Sequence, residues 1–508
     1  MIQHEVKVHP AASPLPREDQ LAWKLASLAT LPAIDADTAE LVAARIVDNA
    51  AVALAAINRA PVAAARAMAL ANKREGGATL IGLPATTTVA AEWAAWANAT
   101  AVRELDFHDT FLAADYAHPG DSIAPLLAVA QQTGRGGAAL ARAIAIAYEV
   151  HVALVKAISL HQFKKDHVAH LAPATVVGIG RLLDLPVPVV FQAVNQAVHL
   201  AFSTRQSRKG EISSWKAFVP GFSGRLAIDS VDRAMRGEGA PSPIYEGEDS
   251  VIAWMLGGKD AVYTVALPAP GERPRAIHET YTKAHSAEYQ AQAFIDLALE
   301  LRRDVALAEV AEIVVETSHH THAVIGSGAG DPQKYDPDSS RETLDHSLPY
   351  ILAVALEDGF WHHERSYTAE RRHRPSTIAL WRRIRTVEDP AWTARYHQAD
   401  PAQRAFGGRL RITLRDGRII EAEKPVADAH PNGRKPWRMQ DYLGKFHTLA
   451  DDLVGAAEGE RFLAAACRLV DLSPAELRTL NPVMPPGTVH PDRPTGEGIL
   501  DWKRGVAL

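Results

Sequence analysis

Alanine-rich stretches in which apolar residues recur at helical spacing dominate the first 200 residues. In DADTAELVAARIVDNAAVALAAINRA, an apolar stripe follows Leu41, Ile46, Ala50 and Leu54. The stretch GRGGAALARAIAIAYEVHVALVKAISL is also long and amphipathic. Alanine has the highest helix propensity, and its small side chain lets helices pack closely. We therefore predict a mainly α protein that begins with a large all-helical domain.

The length of the chain and a change in composition indicate a second, smaller domain. A chain of 508 residues is too long for one ordinary core. Composition changes near Leu267, and VAEIVVETS then predicts a strand because it is rich in β-branched residues. Further on, GGRLRITLRDGRIIEAEK predicts a hairpin with an Asp-Gly turn at Asp416 and Gly417, so we expect a small antiparallel sheet. The expected units are a helical domain, an α+β domain and a C-terminal helical segment, at residues 1–273, 274–430 and 431–508.

Composition also argues against several classes of protein. The net charge of -6 gives no support to nucleic-acid binding. The single cysteine, Cys467, excludes an internal disulfide and argues against an iron–sulfur cluster. No uninterrupted apolar run reaches the length of a bilayer, and the first residues, which we expect to form an extended arm, lack the pattern of a secretory signal. We expect a cytoplasmic protein.

A polar stretch that runs into an apolar helix is the most informative local feature. DPQKYDPDSSRETLDHSLPYILAVALEDG contains Asp-Pro twice, and apolar residues take helical spacing from Leu348. Ser339 or Ser340 can cap the join. Polar side chains at the mouth of a buried helix need partners, so they form either a cap network or part of a site. The residues concerned are Arg341, Asp345, His346 and Tyr350.

Four other stretches concentrate side chains capable of acid–base chemistry or anion binding. In LDFHDTFLAADYAHPGDS, Asp106 and Thr110 are spaced to share a helix face, and His118 follows in a turn. The histidines His167 and His170 lie just before an apolar helix, beside a lysine pair that suits carboxylate groups. Solvent-exposed or structural roles are open for each residue taken alone. The loop STRQSRKGEISSWK holds Arg205, Arg208, Lys209 and Lys216, and TYTKAHSAEYQ holds Lys283, His285 and Glu288.

Two further patterns imitate known sites. The sequence HHTH follows the predicted strand, where His320 and His322 would share a face and could hold a metal, although no third ligand follows at a recognisable spacing. The stretch GSGAGD resembles a phosphate loop but lacks its Lys-Ser/Thr ending. Two functions stay open on these patterns. One is a metal-dependent hydrolase built on His319–His322, and the other is a non-catalytic helical binding module.

The stretch SRETLDHSLPYILAVALEDG closely resembles a signature of the MmgE/PrpD family. The block with Asp106, Thr110 and His118 is similar to an active-site block of that family, and the resemblance covers most of the chain. It implies a cleft between a large helical domain, to which the C-terminal helices return, and a smaller α+β lid domain. It also implies no metal, no cofactor and a homodimer, and the charge and apolar pattern described above add that we expect no nucleic-acid or membrane partner.

The resemblance implies a dehydration of a hydroxy-tricarboxylate, with 2-methylcitrate converted to 2-methyl-cis-aconitate in the methylcitrate cycle and citrate as a second substrate. A decarboxylase acting on cis-aconitate, or another tricarboxylate enzyme of the family, is the alternative. The residues that would act in catalysis are Asp106, His118, His167, Lys216, His285 and Tyr350. The residues that would bind substrate are Thr110, His170, Lys283, Arg341 and His346, with His170 as the alternate to His167.

Overall fold

The computed structural model describes residues 1–208, 213–398, 400–490 and 498–500. Lys209 and the side chain of Arg208, which the sequence places in a basic loop, lie outside this description. The protein is mainly α-helical, as predicted. The helices of the first half are α1 Leu21–Ser27, α2 Ala36–Ala56, α3 Ala60–Leu70, α4 Ala91–Glu104, α5 Ile123–Thr133, α6 Gly137–Ala157, α7 Leu171–Leu182, α8 Val187–Ala201, α9 Trp215–Met235 and α10 Val251–Met255.

The second half mixes shorter helices with strands. Its helices are α11 Gln292–Leu301, α12 His319–Val324, α13 Arg341–Leu344, α14 Leu348–Asp358, α15 Ala369–Arg372, α16 Pro375–Trp381, α17 Pro390–Tyr396, α18 Met439–Val454, α19 Ala456–Cys467 and α20 Pro474–Arg478. The strands of the whole chain are β1 Ile2–Lys7, β2 Lys73–Thr79, β3 Thr88–Val89, β4 Phe111–Leu112, β5 Tyr116–Ala117, β6 Val262–Leu267, β7 Val310–Thr317, β8 Ile384–Glu388, β9 Gly408–Leu414 and β10 Ile419–Lys424.

Two large apolar clusters organise the packing. The larger draws its buried residues from Val6 to Ile277 and again from Tyr442 to Met484, so α18, α19 and α20 pack with the first half of the chain. The smaller draws on residues from Ala287 to Leu414. Helix α6 is long and apolar enough to cross a membrane, but 83% of its most apolar window is buried inside the protein. Its composition is therefore that of a core helix.

The sheet of the second cluster is mixed, which corrects the antiparallel sheet expected from sequence. Its strand order is β10-β9-β7-β8. The predicted hairpin is confirmed, with Ile419 opposite Thr413 and Lys424 opposite Gly408. Strand β8, however, pairs with β7 in parallel. A parallel neighbour comes from a distant part of the chain and leaves no local turn signal, so the sequence did not reveal it.

Several local expectations also change. The N-terminal arm is extended, but β1 pairs with β6 along its length. The sequence HHTH begins helix α12 instead of continuing the strand, because Ser318 accepts a hydrogen bond from the Thr321 amide and caps the helix. Ser340 caps α13, and Ser347 caps the apolar helix α14.

Candidate active site

A cavity of about 410 Å³ is lined by residues from both halves of the chain. This volume falls in the range of small-molecule sites. From the first half of the chain, its walls come from the loop after α4, the β4–β5 hairpin and the start of α9. From the second half, they come from the segment before α11, from helix α12 itself and from the loop before α14. The polar residues that line it are Arg103, Asp106, Thr110, Tyr116, His118, His161, Lys164, His167, Arg205, Lys216, Lys283, Glu288, Gln290, His319, His320, Asp331, Lys334 and His346.

Asp106 occupies the centre of the inner end of the cavity. Helix α4 ends at Glu104, and Asp106 adopts a left-handed backbone with φ of 49°, so the expectation that Asp106 and Thr110 share a helix face is wrong. The carboxylate of Asp106 is surrounded by cations. Its Oδ1 lies 2.7 Å from Lys283 Nζ and 3.1 Å from an Arg103 nitrogen, and its Oδ2 lies 3.1 Å from Lys216 Nζ.

These cations keep Asp106 ionised although it is fully buried. Burial alone would raise the pKa of its carboxyl, but the charges of Arg103, Lys216 and Lys283 hold that pKa well below its usual range. Lys283 also donates 2.7 Å to the backbone oxygen of Asp106. Burial lowers the pKa of the Lys283 ammonium, against the opposing effect of Asp106. The result is a cluster of paired charges in the wall of the cavity.

One ring nitrogen of His118 is hydrogen-bonded to the backbone, and the other points at this cluster of charges. Its Nδ1 lies 2.8 Å from the backbone oxygen of Asp109, which can only accept, so Nδ1 carries the proton. Its Nε2 lies 3.8 Å from Asp106 Oδ1. Burial, reinforced by Arg103, lowers the pKa of His118 well below its usual range. His118 is therefore neutral, with the lone pair of Nε2 available to take a proton.

His346 approaches the same carboxylate from its other oxygen. Its Nε2 lies 3.9 Å from Asp106 Oδ2, while its Nδ1 bonds Asp345 Oδ1. Burial and then Lys216 lower the pKa of His346 to about 4. Lys216 Nζ also lies 3.4 Å from Asp345 Oδ1, and Arg341 lies 3.3 Å from Asp345 Oδ2. Arg341 thus holds the Asp345 carboxylate in place but does not itself line the cavity.

Of the sequence-predicted residues, the structure brings seven to the cavity wall: Asp106, Thr110, His118, His167, Lys216, Lys283 and His346. His167 packs into this wall with its ring tilted against its neighbours, its centre 5.6 Å from that of His118 and 4.9 Å from that of Tyr116. His170, kept as its alternate, instead has Nε2 3.0 Å from the backbone oxygen of Ile158 and is buried in the helical core. The residue facing the cavity is therefore His167.

Two predicted catalytic residues lie elsewhere. Tyr350 is buried in the smaller apolar cluster, where its hydroxyl donates 2.5 Å to the backbone oxygen of Ser366. Helix α14 is buried on all sides, so apolar periodicity could not show which face Tyr350 occupies. His285 has Nε2 3.0 Å from Asp296 Oδ1, away from the cavity. In this structure neither Tyr350 nor His285 lines the cavity.

The cavity also contains residues that sequence reasoning did not select for the site. Lys334 is almost fully buried, and its Nζ donates 2.7 Å to the backbone oxygen of His346. Burial lowers the pKa of Lys334 to about 8. Burial likewise raises the pKa of Glu288 to about 7, against the effect of Lys283. Arg103 could have been found from its spacing of three residues to Asp106.

The charge of the cavity is strongly positive. Six lysines and arginines face three acidic residues across the described lining, whereas the whole chain carries a net charge of -6. A concentration of cations in a cleft attracts anionic ligands and raises their local concentration. The six cationic residues are Arg103, Lys164, Arg205, Lys216, Lys283 and Lys334, and the three acidic residues are Asp106, Glu288 and Asp331.

A metal ion fits this arrangement poorly. Asp106, Asp345 and His346 offer ligand atoms within 4.8 Å of one another. The carboxylates of this trio are already paired with Lys216, Lys283 and Arg341, so a cation would have to displace them. The His319–His322 pair is no better placed. His319 bonds Glu388 and His322 bonds Thr386, and the ring of His320 packs against those of His161 and Tyr396.

The fold and the site define a mainly helical protein with a positively charged small-molecule cavity, whose inner end combines neutral histidines with clustered lysines. The chain belongs to the MmgE/PrpD family: residues 19–264 match the MmgE/PrpD N-terminal domain, and residues 285–469 match the MmgE/PrpD C-terminal domain.

Relatives with established names agree with this assignment. The chain is 29% identical over 366 residues to a 2-methylcitrate dehydratase of Cupriavidus necator, covering 67% of this chain and 70% of the relative. It is 25% identical to the 2-methylcitrate dehydratase of Escherichia coli strain K12, covering 68% and 71%. A mitochondrial 2-methylcitrate dehydratase of Yarrowia lipolytica is also 25% identical, with 63% of each chain covered. These names support the expectation of a dehydratase, an enzyme of the hydro-lyase class.

Proposed function

We propose that this protein is a 2-methylcitrate dehydratase, which removes water from 2-methylcitrate to give 2-methyl-cis-aconitate in the methylcitrate cycle of propionate catabolism, with citrate as a second substrate. The observation that carries the proposal is the excess of cations around neutral histidines in one cavity. A tricarboxylate matches that charge, and the relatives named above are called dehydratases of this substrate. The identity to these relatives is 29% and 25%, so the substrate is the part of the proposal that the experiment below tests.

The chemistry begins with a proton next to a carboxylate. His118 Nε2 takes this proton as the C–H bond breaks, because its lone pair is free and its ring is neutral. The negative charge that builds on the adjacent carboxylate is stabilised by Lys216 and Lys283, whose ammonium groups are already fixed by Asp106. Fixed charges of this kind need little reorganisation during the reaction.

The hydroxyl then leaves as water, which requires a proton donor. Lys334 suits this role because its ammonium lines the cavity and bonds a single backbone oxygen, that of His346, among the described contacts. With a pKa of about 8, Lys334 is protonated at neutral pH and gives up its proton more readily than an exposed lysine. The C–O bond breaks as the proton passes from Lys334 Nζ to the departing oxygen.

We further propose that the reaction needs no metal and no cofactor. In metal-dependent dehydratases a cation polarises the substrate carboxylate and hydroxyl. Here Lys216 and Lys283 supply positive charge beside the substrate carboxylate, and Lys334 supplies it beside the hydroxyl. The ion pairs that already occupy Asp106 and Asp345 support this part of the proposal.

The larger organisation that we propose is a helical domain carrying a smaller α+β lid, with the cavity in the cleft between them, in a cytoplasmic homodimer that binds neither nucleic acid nor membrane. The two separate apolar clusters support the two domains. The exposed aromatic side chains Trp215 and Phe222 of α9 support a further protein contact on that face.

The test is a dehydration assay on purified protein with 2-methylcitrate and a chelator, following the ultraviolet absorbance of the conjugated alkene product. We expect absorbance to rise at the same rate with and without chelator. Loss of the rate with chelator would contradict metal independence. Release of carbon dioxide from cis-aconitate, without a rise on 2-methylcitrate, would replace the dehydratase by the decarboxylase alternative.

A further inference from the structure

We propose that Lys164 and Arg205 form a second carboxylate subsite at the outer end of the same cavity, which holds the substrate carboxylate farthest from the reacting carbons. This inference rests on the proposed function and names the residues that would select the substrate of the enzyme. Both residues line the cavity, but neither contacts the Asp106 cluster. The subsite would make the enzyme prefer tricarboxylates to shorter hydroxy acids.

A row of rings places this subsite away from the reaction centre. The ring centre of His118 lies 5.6 Å from that of His167, which lies 4.9 Å from that of Tyr116. The ring of Tyr116 is followed by His161 at 5.8 Å, and His161 by His320 at 5.3 Å. Tyr116, whose hydroxyl bonds Arg205, is therefore two rings beyond His118. A substrate with carboxylates on separate arms can reach both ends.

The backbone fixes the two cations next to each other. Lys164 adopts a left-handed conformation with φ of 57°, which is uncommon for a residue with a side chain. Its carbonyl accepts a 2.8 Å hydrogen bond from the Arg205 amide, and the neighbouring residues Lys165 and Thr204 form an antiparallel bridge. Arg205 Nε also donates 3.1 Å to the Tyr116 hydroxyl. Among the described residues the guanidinium is thus anchored through Nε, and its other nitrogens can bond a ligand.

The acids nearby are not ion-paired with these cations. Across the part of the chain that the structure describes, no carboxylate oxygen lies within 4.0 Å of a side-chain nitrogen of Lys164 or Arg205. Asp115 is close enough to feel the charge of Arg205, but its oxygens accept from the amides of Leu160 and His161, at 2.5 and 3.1 Å, and from that of Tyr116. Within the described residues the two cations therefore have no carboxylate partner, and a ligand carboxylate can pair with them.

The neighbouring histidines favour the same occupant. Burial, then Arg205 and Lys164, lowers the pKa of His161 to about 4. Burial, His161 and Arg205 lower that of His320 to about 3. Both rings are neutral at physiological pH, so the charge of this subsite comes from Lys164 and Arg205. One substrate carboxylate would neutralise half of that charge.

The experiment compares the variants Arg205→Gln and Lys164→Gln with the control Lys165→Gln, which removes a neighbouring charge on the same loop but does not line the cavity. We expect KM for 2-methylcitrate to rise about 10- to 100-fold in the first two variants, the loss of a charged hydrogen bond, with kcat much less affected. Arg205→Lys should recover part of the loss. KM values equal to that of the control in both variants would overturn the subsite.

A binding measurement separates this inference from the proposed function. Tricarballylate has three carboxylates but no hydroxyl to lose, so calorimetry can measure its affinity without turnover. Weaker binding of tricarballylate to Arg205→Gln and Lys164→Gln than to Lys165→Gln supports the subsite, even if 2-methylcitrate is not turned over by the wild-type protein. Equal affinity in all three variants overturns it, even if the wild-type protein is an active dehydratase.

Discussion

At the scale of single residues, the site depends on which nitrogen of each histidine carries a proton. His118 and His346 have Nδ1 bonded to an oxygen that accepts, and both point Nε2 at Asp106. The sequence does not show these orientations. For His118, the partner is a backbone atom of Asp109, which no side-chain pattern reveals. Seven of the residues predicted from sequence line the cavity, and each of them falls in a local motif. Tyr350 and His285 do not line it, because the directions of their side chains depend on tertiary packing.

Lys334 gives a prediction about pH. A proton donor must be protonated, so kcat should fall as pH rises through about 8, the lowered pKa of Lys334. We expect Lys334→Gln to be slow and to lose this alkaline limb. The measurement is kcat against pH for wild type and variant, with circular dichroism as a check on folding. An unchanged limb in Lys334→Gln would assign the titration to another group.

At the scale of elements, local signals were sufficient for the hairpin and for the helix caps. The Asp416-Gly417 turn sets the β9–β10 register, and Gly417 has φ of 87°, which a glycine adopts without strain. The parallel partner β8 and the short helix α12 were not predicted. Strand β8 depends on a pairing with β7 far away in the chain, and α12 begins at a serine cap that directly follows a strong strand.

Ser347 links one of these elements to the site. Its hydroxyl accepts from the Tyr350 amide at 3.3 Å, which caps α14, and donates 2.6 Å to the backbone oxygen of Lys334. We expect Ser347→Ala to lower the free energy of unfolding by about 1–2 kcal/mol, because it removes the cap and leaves a buried carbonyl unpaired. Urea unfolding measures this loss. Ser473→Ala, at the cap of the exposed helix α20, is the control and should cost less. A larger loss in the control would contradict this account.

At the scale of the whole molecule, the C-terminal helices return to the first half of the chain. Length and composition suggested two units, and the resemblance to the family implied this return. The structure contains the contacts that produce it, such as α18 against α2. The contact of the segment after α19 with α6 is particularly close. A Cβ added to Gly137 would lie 1.6 Å from the backbone oxygen of Leu469.

We therefore expect Gly137→Ala to destabilise the protein by about 1–3 kcal/mol, because backbone atoms would have to separate. The matched control is Gly444→Ala in α18, where an added Cβ meets no described atom within 4 Å. Alanine there should stabilise the helix by about 0.5–1 kcal/mol. Both values come from urea unfolding curves. If Gly137→Ala were as stable as the wild type, the close packing of the C-terminal segment on α6 would be wrong.

The most direct test of the account is kcat for 2-methylcitrate in His118→Gln and Tyr350→Phe, measured side by side with the wild type. His118→Gln removes the proposed base and should lower kcat by about 100- to 10,000-fold. Tyr350→Phe removes a hydroxyl that bonds Ser366 outside the cavity, so kcat should stay close to that of the wild type. The reverse pattern, with an active His118→Gln and an inactive but folded Tyr350→Phe, would contradict the assignment of the reaction to this cavity.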